Sequence, residues 1–299
     1  MCKRIAIIGL GLIGGSMAMA LKGFEDYEIV GVDRDPATLE FARTHGVADY
    51  LSTDAGQAVS TADVVYLCLH PRGIVDFLST YRACFRPGTL VTDVCGIKTA
   101  IVDAAAVLPD EVDFIGSHPM AGKETSGIFH ADGALFRGAH YIITPRPQSR
   151  PEHVDLLHRI ADHIGCRDVV NTTTAKHDAI IAYTSQVMHI MAVAVCDDPD
   201  LFDCKGFEGG SFRDCTRVAA LDVPLWTELF SMNAPALCKV IRNLEDNLRA
   251  YREVIASGDT AALAEKLAWS ADRKRHMNLE PCPFRKSEDR TAPSGSYGL

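Results

Sequence analysis

The chain has 299 residues, 47% of them hydrophobic, which is enough for two ordinary domains with a core in each and too apolar for general disorder. Its formal net charge of −9 gives a surface that repels polyanions, and no Lys/Arg run offers a local exception, so nucleic acid is excluded as an expected partner. The ten cysteines include no C-x-x-C pair, which removes a zinc ribbon or redox dithiol and leaves reduced, mostly buried thiols and no metal site as the expectation.

Met1-Cys2-Lys3-Arg4 runs straight into Ile5-Ala6-Ile7-Ile8-Gly9, and glycines interrupt that apolar stretch far short of a signal-peptide or membrane pattern. No membrane association and a cytoplasmic location are therefore expected. Short β-branched runs then alternate with helical stretches, as in a parallel sheet with crossover helices. Strands are expected at 4–8, 28–33, 64–70, 89–94, 114–117 and 141–144, punctuated by Gly23, Pro71 and Pro87-Gly88. Several lack polar alternation, as strands covered on both faces do.

After Pro145, Pro147 and Pro151 the strand pattern largely stops, apart from a short edge-strand candidate at 168–171, and a domain boundary is expected near residue 150. Residues 177–195 are apolar nearly all round, the pattern of a helix surrounded by protein. Pro235 stands where a helix can start, and Leu237, Ile241, Leu244, Leu248, Tyr251 and Ile255 form one apolar stripe on a long helix. Ser257-Gly258-Asp259 reads as a stop and a new N-cap, followed by a last helix over 260–277. Such a stripe packs inside its own domain or against a second copy, and a homodimer is the favoured assembly. The tail, 281–299, is rich in Pro, Ser, Gly and charge and is expected to be poorly ordered.

Gly9-Leu10-Gly11-Leu12-Ile13-Gly14 follows the first strand at once and opens a helix. Its glycines suit a tight turn, close backbone approach to a pyrophosphate, and helix packing on the strand, while the helix N-terminus offers free N–H groups to phosphates. An ordinary glycine turn would give the same letters, but a strand before, a helix after and a second strand ending in Asp33 make a dinucleotide site the better reading. A carboxylate at Asp33 accepts hydrogen bonds from the adenosine ribose and repels a 2′-phosphate, so NAD is expected over NADP. Arg34 blurs that preference, because a guanidinium there can pair with a 2′-phosphate, and Asp33 has the alternative of a strand-end cap. The fold class that follows is α/β: a Rossmann-type dinucleotide-binding domain over 1–150 and an all-helical domain over 151–280.

Ser117-His118-Pro119-Met120-Ala121-Gly122-Lys123-Glu124 lies just after an expected strand, and the carboxyl ends of strands in an open α/β sheet are where ligands collect. A lone histidine is more often structural than catalytic, yet imidazole is well suited to take a hydroxyl proton near neutral pH as hydride leaves the same carbon. The segment from His118 to Glu124, with Ser126-Gly127, Leu135-Phe136-Arg137-Gly138-Ala139 and Tyr141 to Pro145, resembles the signature of the prephenate/arogenate dehydrogenase family. Gly11 to Ser16, His177-Asp178, Phe212 to Ala219 and Leu225-Trp226 resemble it too, so the likeness runs from the first strand to about Met277.

The resemblance implies a dinucleotide-binding domain followed by a helical dimerisation and substrate domain, and oxidative decarboxylation of a cyclohexadienyl dicarboxylate with NAD. It implies that His118 hydrogen-bonds the ring hydroxyl and receives its proton, that Arg217 binds a substrate carboxylate, and that His189 lines the substrate pocket. Glu124 and Trp226 match residues near that pocket, and Arg213 or Lys123 can help hold the dianion.

Duller readings stand beside these. Arg217 can pair with Asp214 on its own helix, His189 and Trp226 can be core residues, and His177-Asp178 can be a helix-start cap. Two departures matter: Gly96 stands where many relatives have serine, and Ser185-Gln186-Val187-Met188-His189 keeps only the last histidine of a Ser-His-Leu-Pro-His run. The ACT or mutase domains fused in some relatives are not expected here, and any tyrosine feedback is expected to act at the active site. Arogenate dehydrogenase is the nearest alternative. A β-hydroxyacid dehydrogenase would need a lysine in a glycine-rich helix of its second domain, which is not found, and a dinucleotide-binding sensor would need no proton acceptor.

Overall fold

Runs of Ile, Val and Leu without polar alternation are satisfied in strands covered on both faces, and the computed structural model, which describes residues 3–279, gathers them into one parallel sheet. The tail expected to be poorly ordered lies outside the described residues. In chain order the sheet and its crossovers are β1 (Lys3–Ile8), α1 (Leu12–Ala20), β2 (Tyr27–Val32), α2 (Pro36–Thr44), β3 (Tyr50–Ser52), α3 (Ala55–Thr61), β4 (Val64–Leu67), α4 (Pro71–Tyr81), β5 (Leu90–Asp93), α5 (Thr99–Ala104) and β6 (Asp113–Phe114). The spatial order is β3-β2-β1-β4-β5-β6, all parallel. The order reverses between β1 and β4, so a crevice opens at their carboxyl ends. Alternate side chains divide the core: Ile5 and Ile7 of β1 pack with Ile29, Val64 and Tyr66 on one face, while Ala6 and Ile8 pack with Val30, Val65 and Leu67 on the other.

The strand expected at 114–117 is in fact two. β6 pairs with β5, the chain leaves that sheet at Ile115, and β7 (Gly116–Pro119) runs antiparallel to β8 (His140–Thr144). β8 in turn pairs in parallel with β9 (Asp168–Asn171), the edge-strand candidate. Between them α6 (Pro151–His163) buries Leu156, Leu157, Ile160 and Ala161 in the same cluster as Ile5 and Ile7. The first domain thus runs past the boundary expected near residue 150 and includes β9. The prolines end a strand pattern without ending the core, and Pro151 simply opens α6 at a position where its missing N–H costs nothing. The three-residue β3 is too short to show a period in the sequence.

Beyond β9 come α7 (Thr174–Ile181), a π-helical turn (Ala182–Gln186), α8 (Val187–Cys196), α9 (Gly210–Thr216), α10 (Val223–Met232), α11 (Ala234–Ser257) and α12 (Thr260–Leu279). The chain forms one compact unit through Leu237 and a second from Cys238 onward, the division falling within α11. In the first unit, the segment expected to be surrounded by protein is covered on one face only: Ile181, Ala182, Val187 and Ala192 are buried, whereas Ile180, Tyr183, Met188, Met191 and Val195 are exposed. Thr174–Cys196 is long and apolar enough to cross a membrane by length and composition alone, but its covered face also carries His177, Asp178 and Gln186, all hydrogen-bonded to protein. In the second unit Gly258, at φ 71°, permits the turn into α12, and Asp259 caps that helix by accepting Ala262 N–H at 2.9 Å. Tyr251 and Ser270 join α11 to α12 through their hydroxyls at 2.8 Å, while Leu248, Ile255, Leu267 and Trp269 stay exposed.

Candidate active site

β1 delivers the chain into Gly9, whose φ is +90° and where a Cβ would sit 2.6 Å from the Cys68 carbonyl oxygen at the end of β4. At Gly14 a Cβ would lie 1.8 Å from the Gly9 oxygen, so only glycine lets α1 pack this close to the turn. Gly11 is the opposite case. Nothing stands within 4 Å of a Cβ there, and the backbone borders open space. Gly11 is also the N-cap of α1, without a side-chain cap, and Gly15 N–H makes the bond back to it at 2.9 Å. The amides of Leu12, Ile13 and Gly14 precede that bond, so helix geometry leaves them for an anion. Asp33, just past β2, accepts Leu10 N–H at 2.8 Å through Oδ2 and Asp35 N–H at 2.9 Å through Oδ1. It therefore ties the glycine turn to the end of β2, with exposed Arg34 beside it.

His118 lies within β7, opposite Ile142 of β8, rather than in a loop after a strand. Its Nδ1 is 3.0 Å from His177 Nε2, with the two rings edge-on. His177 Nδ1 is in turn 2.8 Å from Asp178 Oδ1. Asp178 does cap a helix, but not its own, since Thr173 caps α7. It accepts Lys98 N–H at 2.7 Å and Thr99 N–H at 2.8 Å at the start of α5. Asn233 holds this arrangement from behind, donating to the Asp178 carbonyl at 3.0 Å and to Gln186 Oε1 at 2.8 Å. The fully buried Lys98 ammonium pairs with Asp93 at the end of β5, and Asp93 also accepts Cys95 N–H at 2.9 Å and Ser117 N–H at 3.2 Å. A buried pair of this kind is tolerated when hydrogen bonds satisfy its remaining lone pairs, as they do here.

Burial first, then the charges of His177 and Lys98, hold His118 well below the ordinary imidazole range, with Asp178 pulling weakly the other way. The ring is neutral at pH 7 and able to accept a proton. Burial also lowers His177. For Asp178 burial acts upward, but the bonds from His177, Thr99 and Lys98 outweigh it and keep the carboxyl below its usual range. Burial pushes the Cys95 thiol up to about 12, so it stays protonated at pH 7.

Of the residues expected at the substrate end, Arg217 and Glu124 form an ion pair, with side chains 59% and 54% exposed. Arg217 thus ignores Asp214, which α9 carries one turn earlier, and opens a short 3-10 turn packed on α8. His189, on α8, stacks on Trp226 of α10 with ring centroids 3.7 Å apart, and its Nδ1–H donates to the Ser185 carbonyl at 3.1 Å. Burial lowers the His189 pKa. Arg213 is exposed and directed to the Glu208 carbonyl at 3.3 Å. Lys123 faces the other way, toward Asp132 at 3.6 Å and the His130 carbonyl at 3.5 Å. The structure brings together two pairs from the expected group, Arg217 with Glu124 and His189 with Trp226, and engages Arg213 and Lys123 elsewhere.

Residues 17–170 match the family model described as the prephenate dehydrogenase nucleotide-binding domain, and residues 173–269 match that of the prephenate dehydrogenase dimerization domain. The chain belongs to the prephenate dehydrogenase family. It is similar to the cyclohexadienyl dehydrogenase of Zymomonas mobilis, with 31% identity over 272 residues that cover 88% of this chain and 92% of that protein. Among solved structures it is similar to prephenate dehydrogenase from A. aeolicus in complex with hydroxyphenyl propionate and NAD+, with a TM-score of 0.83, 26% identity and coverage of 93% of this chain and 99% of that one. Synechocystis arogenate dehydrogenase is also similar, with a TM-score of 0.79, 29% identity and coverage of 91% and 99%.

This prephenate dehydrogenase family member departs from the expected pattern at Gly96, where a Cβ would lie 3.9 Å from Cε1 and 4.0 Å from Nε2 of His118, in ordinary contact. Leu229 Cδ2 would lie 3.6 Å from the same Cβ, and the glycine leaves out the hydroxyl that a serine there would bring toward the ring. Of the four residues at the centre of the site, Asp93 and Lys98 carry no role in the sequence reading, and His177-Asp178 stays open there between a piece of the family likeness and a helix-start cap. Beyond that likeness, their signal is ionisable residues in otherwise apolar surroundings, Asp93 and Lys98 five positions apart and His177-Asp178 side by side at the start of an apolar helix. Nothing local says which of them meet.

Proposed function

We propose that the protein catalyses the NAD-dependent oxidative decarboxylation of prephenate to 4-hydroxyphenylpyruvate and carbon dioxide, a step of tyrosine biosynthesis. The cofactor is NAD, and when bound it supplies the hydride acceptor. Leu12, Ile13 and Gly14 amides would hold its pyrophosphate where Gly11 leaves room, and Asp33 would meet the adenosine ribose. His118 accepts the proton of the ring hydroxyl. As that proton leaves, the C–H bond on the same carbon breaks and its electron pair departs as hydride, leaving a carbonyl. Loss of the ring carboxyl as carbon dioxide then drives electrons through the ring to the oxygen, and His118 returns the proton to the phenolate, so no net proton is left on the protein. Aromatisation makes the step effectively irreversible. Arg217 holds a substrate carboxylate.

The observation that carries this reading is that the Arg217 guanidinium already binds a carboxylate, that of Glu124, in the same segment that begins at His118. Glu124 is a weak competitor for a dianion, because an ion pair between such exposed side chains contributes only about 0–1 kcal/mol. The same residue favours a second reading. Once displaced from Arg217, its carboxylate stands ready for the ammonium group of arogenate, where prephenate has a keto oxygen. Purified protein incubated with NAD and either acid, with NADH followed, tests both readings. NADH from prephenate supports the first, NADH from arogenate alone supports the second, and none from either refutes both.

We also infer a homodimer. The match of 173–269 to a dimerization domain supports it, as do the apolar side chains left open on Thr174–Cys196. A monomer mass in sedimentation at micromolar concentration would overturn it.

A further inference from the structure

Ionised Asp178 has only lone pairs to offer, and Oδ1 already accepts the Lys98 amide. Its 2.8 Å contact with His177 Nδ1 is a hydrogen bond only if that nitrogen carries the proton. In the neutral ring Nε2 is then a bare acceptor, and the 3.0 Å contact with His118 requires His118 Nδ1 to be the donor. The lone pair of His118 is thereby assigned to Nε2, the nitrogen turned toward Gly96, 4.0 Å from where a Cβ would lie there. The remaining charged groups near His177, Lys98 and Asp93, are paired with each other and leave this direction of donation unchanged.

We propose that His177, held by Asp178, is a positioning residue that fixes the tautomer and ring orientation of His118, acting on Nδ1 where a serine at position 96 would act on Nε2. This rests on the reading of His118 as the proton acceptor. When the substrate hydroxyl gives its proton to Nε2, the O–H bond breaks and the Nε2–H bond forms. The Nδ1–H bond to His177 stays in place and becomes charge-assisted, with Asp178 as the balancing charge. No atom passes between the two histidines, and the ring is ready to return the same proton. A seryl hydroxyl beside Nε2 would instead share the nitrogen that does the chemistry. That makes a support on the far side of the ring the natural arrangement in a chain with glycine at 96.

The test begins with the NAD-saturated wild-type protein, labelled with 15N at histidine, and needs no turnover. At pH 7 the His118 ring is expected to be protonated at Nδ1 and bare at Nε2, and the reverse pattern would overturn the proposal outright. His177→Phe, which removes the acceptor, is expected to give a mixture of tautomers. It should lower kcat roughly 10²–10³-fold while KM for the acid stays within about threefold. His177→Gln keeps an oxygen able to accept the Nδ1–H and is expected to recover at least about tenfold of that loss. Equal impairment of the two variants, or a loss carried by KM, would assign His177 to packing or substrate contact instead. If the wild-type protein has the expected tautomer but reduces NAD with neither acid, the functional reading fails and the positioning role stands.

Discussion

At the cofactor end the deciding contacts are between backbone atoms, or a backbone and one carboxylate: Gly14 against Gly9, Gly9 against the Cys68 carbonyl, and Leu10 against Asp33, 23 residues on. At the catalytic end they are between side chains, or a side chain and a distant amide, with His118 and His177 separated by 59 positions and Lys98 and Asp178 by 80. The first end is a shape that tolerates no added atom at Gly9 or Gly14. The second is a chain of donors and acceptors that tolerates a change of shape, as Gly96 shows, but not the loss of a partner. Substitutions at the two ends should therefore fail differently, one in cofactor affinity and the other in turnover.

The largest effect is expected at the centre of the side-chain chain. His118→Asn keeps a polar group of similar size but no proton acceptor, and kcat should fall by roughly 10²–10⁴ with KM values for NAD and the acid little changed. In the wild type, the acid-side fall of kcat/KM should lie below the ordinary histidine range, because the imidazole stays neutral to lower pH than a free one. Normal turnover by the variant would remove His118 from the mechanism, and a cofactor KM that rose in parallel would show that the two ends are not separable.

The same contrast explains what could be read before any coordinates. Gly9 to Gly14 and Asp33 are legible because a tight turn, a phosphate approach and a helix contact each leave a letter at a fixed spacing, and the flanking strands announce themselves by uninterrupted Ile and Val. The long helix with Leu237 and Ile241 and the turn at Gly258 are legible for the same local reason. Position 150 misleads because three prolines stop a strand pattern while Leu156 and Ile160 still belong to the first core. His118 is found by family likeness, whereas its partner His177 is not assigned, because pairing across β7 and α7 is decided by the sheet switch at Ile115 and leaves no periodic trace. The segment around Met188 looks fully buried because hydrophobicity alone cannot tell a face covered by the same chain from one left for another surface.

A smaller effect is expected at Arg217, on the substrate side but outside the buried relay. Arg217→Gln keeps a donor and removes the charge, and a charge-assisted hydrogen bond contributes about 1.5–3 kcal/mol, so KM for the acid should rise roughly 10–100-fold. kcat should change much less, since a guanidinium in the proposed role would hold the substrate equally before and during reaction. An unchanged KM would move the carboxylate site elsewhere, and a loss confined to kcat would mean that Arg217 acts on the reacting atoms.

Asp33 is the residue where the cofactor end stops being purely backbone, and its substitution tests that end most finely. The carboxylate has one duty on view, anchoring Leu10 in the glycine turn, and one proposed, repelling a 2′-phosphate. Asp33→Ser removes the negative charge but leaves one short acceptor that cannot reach both Leu10 and Asp35. Losing one such bond costs about 1 kcal/mol, so KM for NAD should rise roughly 5–10-fold. Use of NADP should fall less or improve, because the repulsion has gone and Arg34 is free to meet the extra phosphate. The ratio of kcat/KM values for the two cofactors therefore separates the duties. A ratio that holds while both values fall would leave Asp33 as an anchor alone, and a ratio that shifts with no change in NAD affinity would mean that the glycine turn keeps its shape without Asp33.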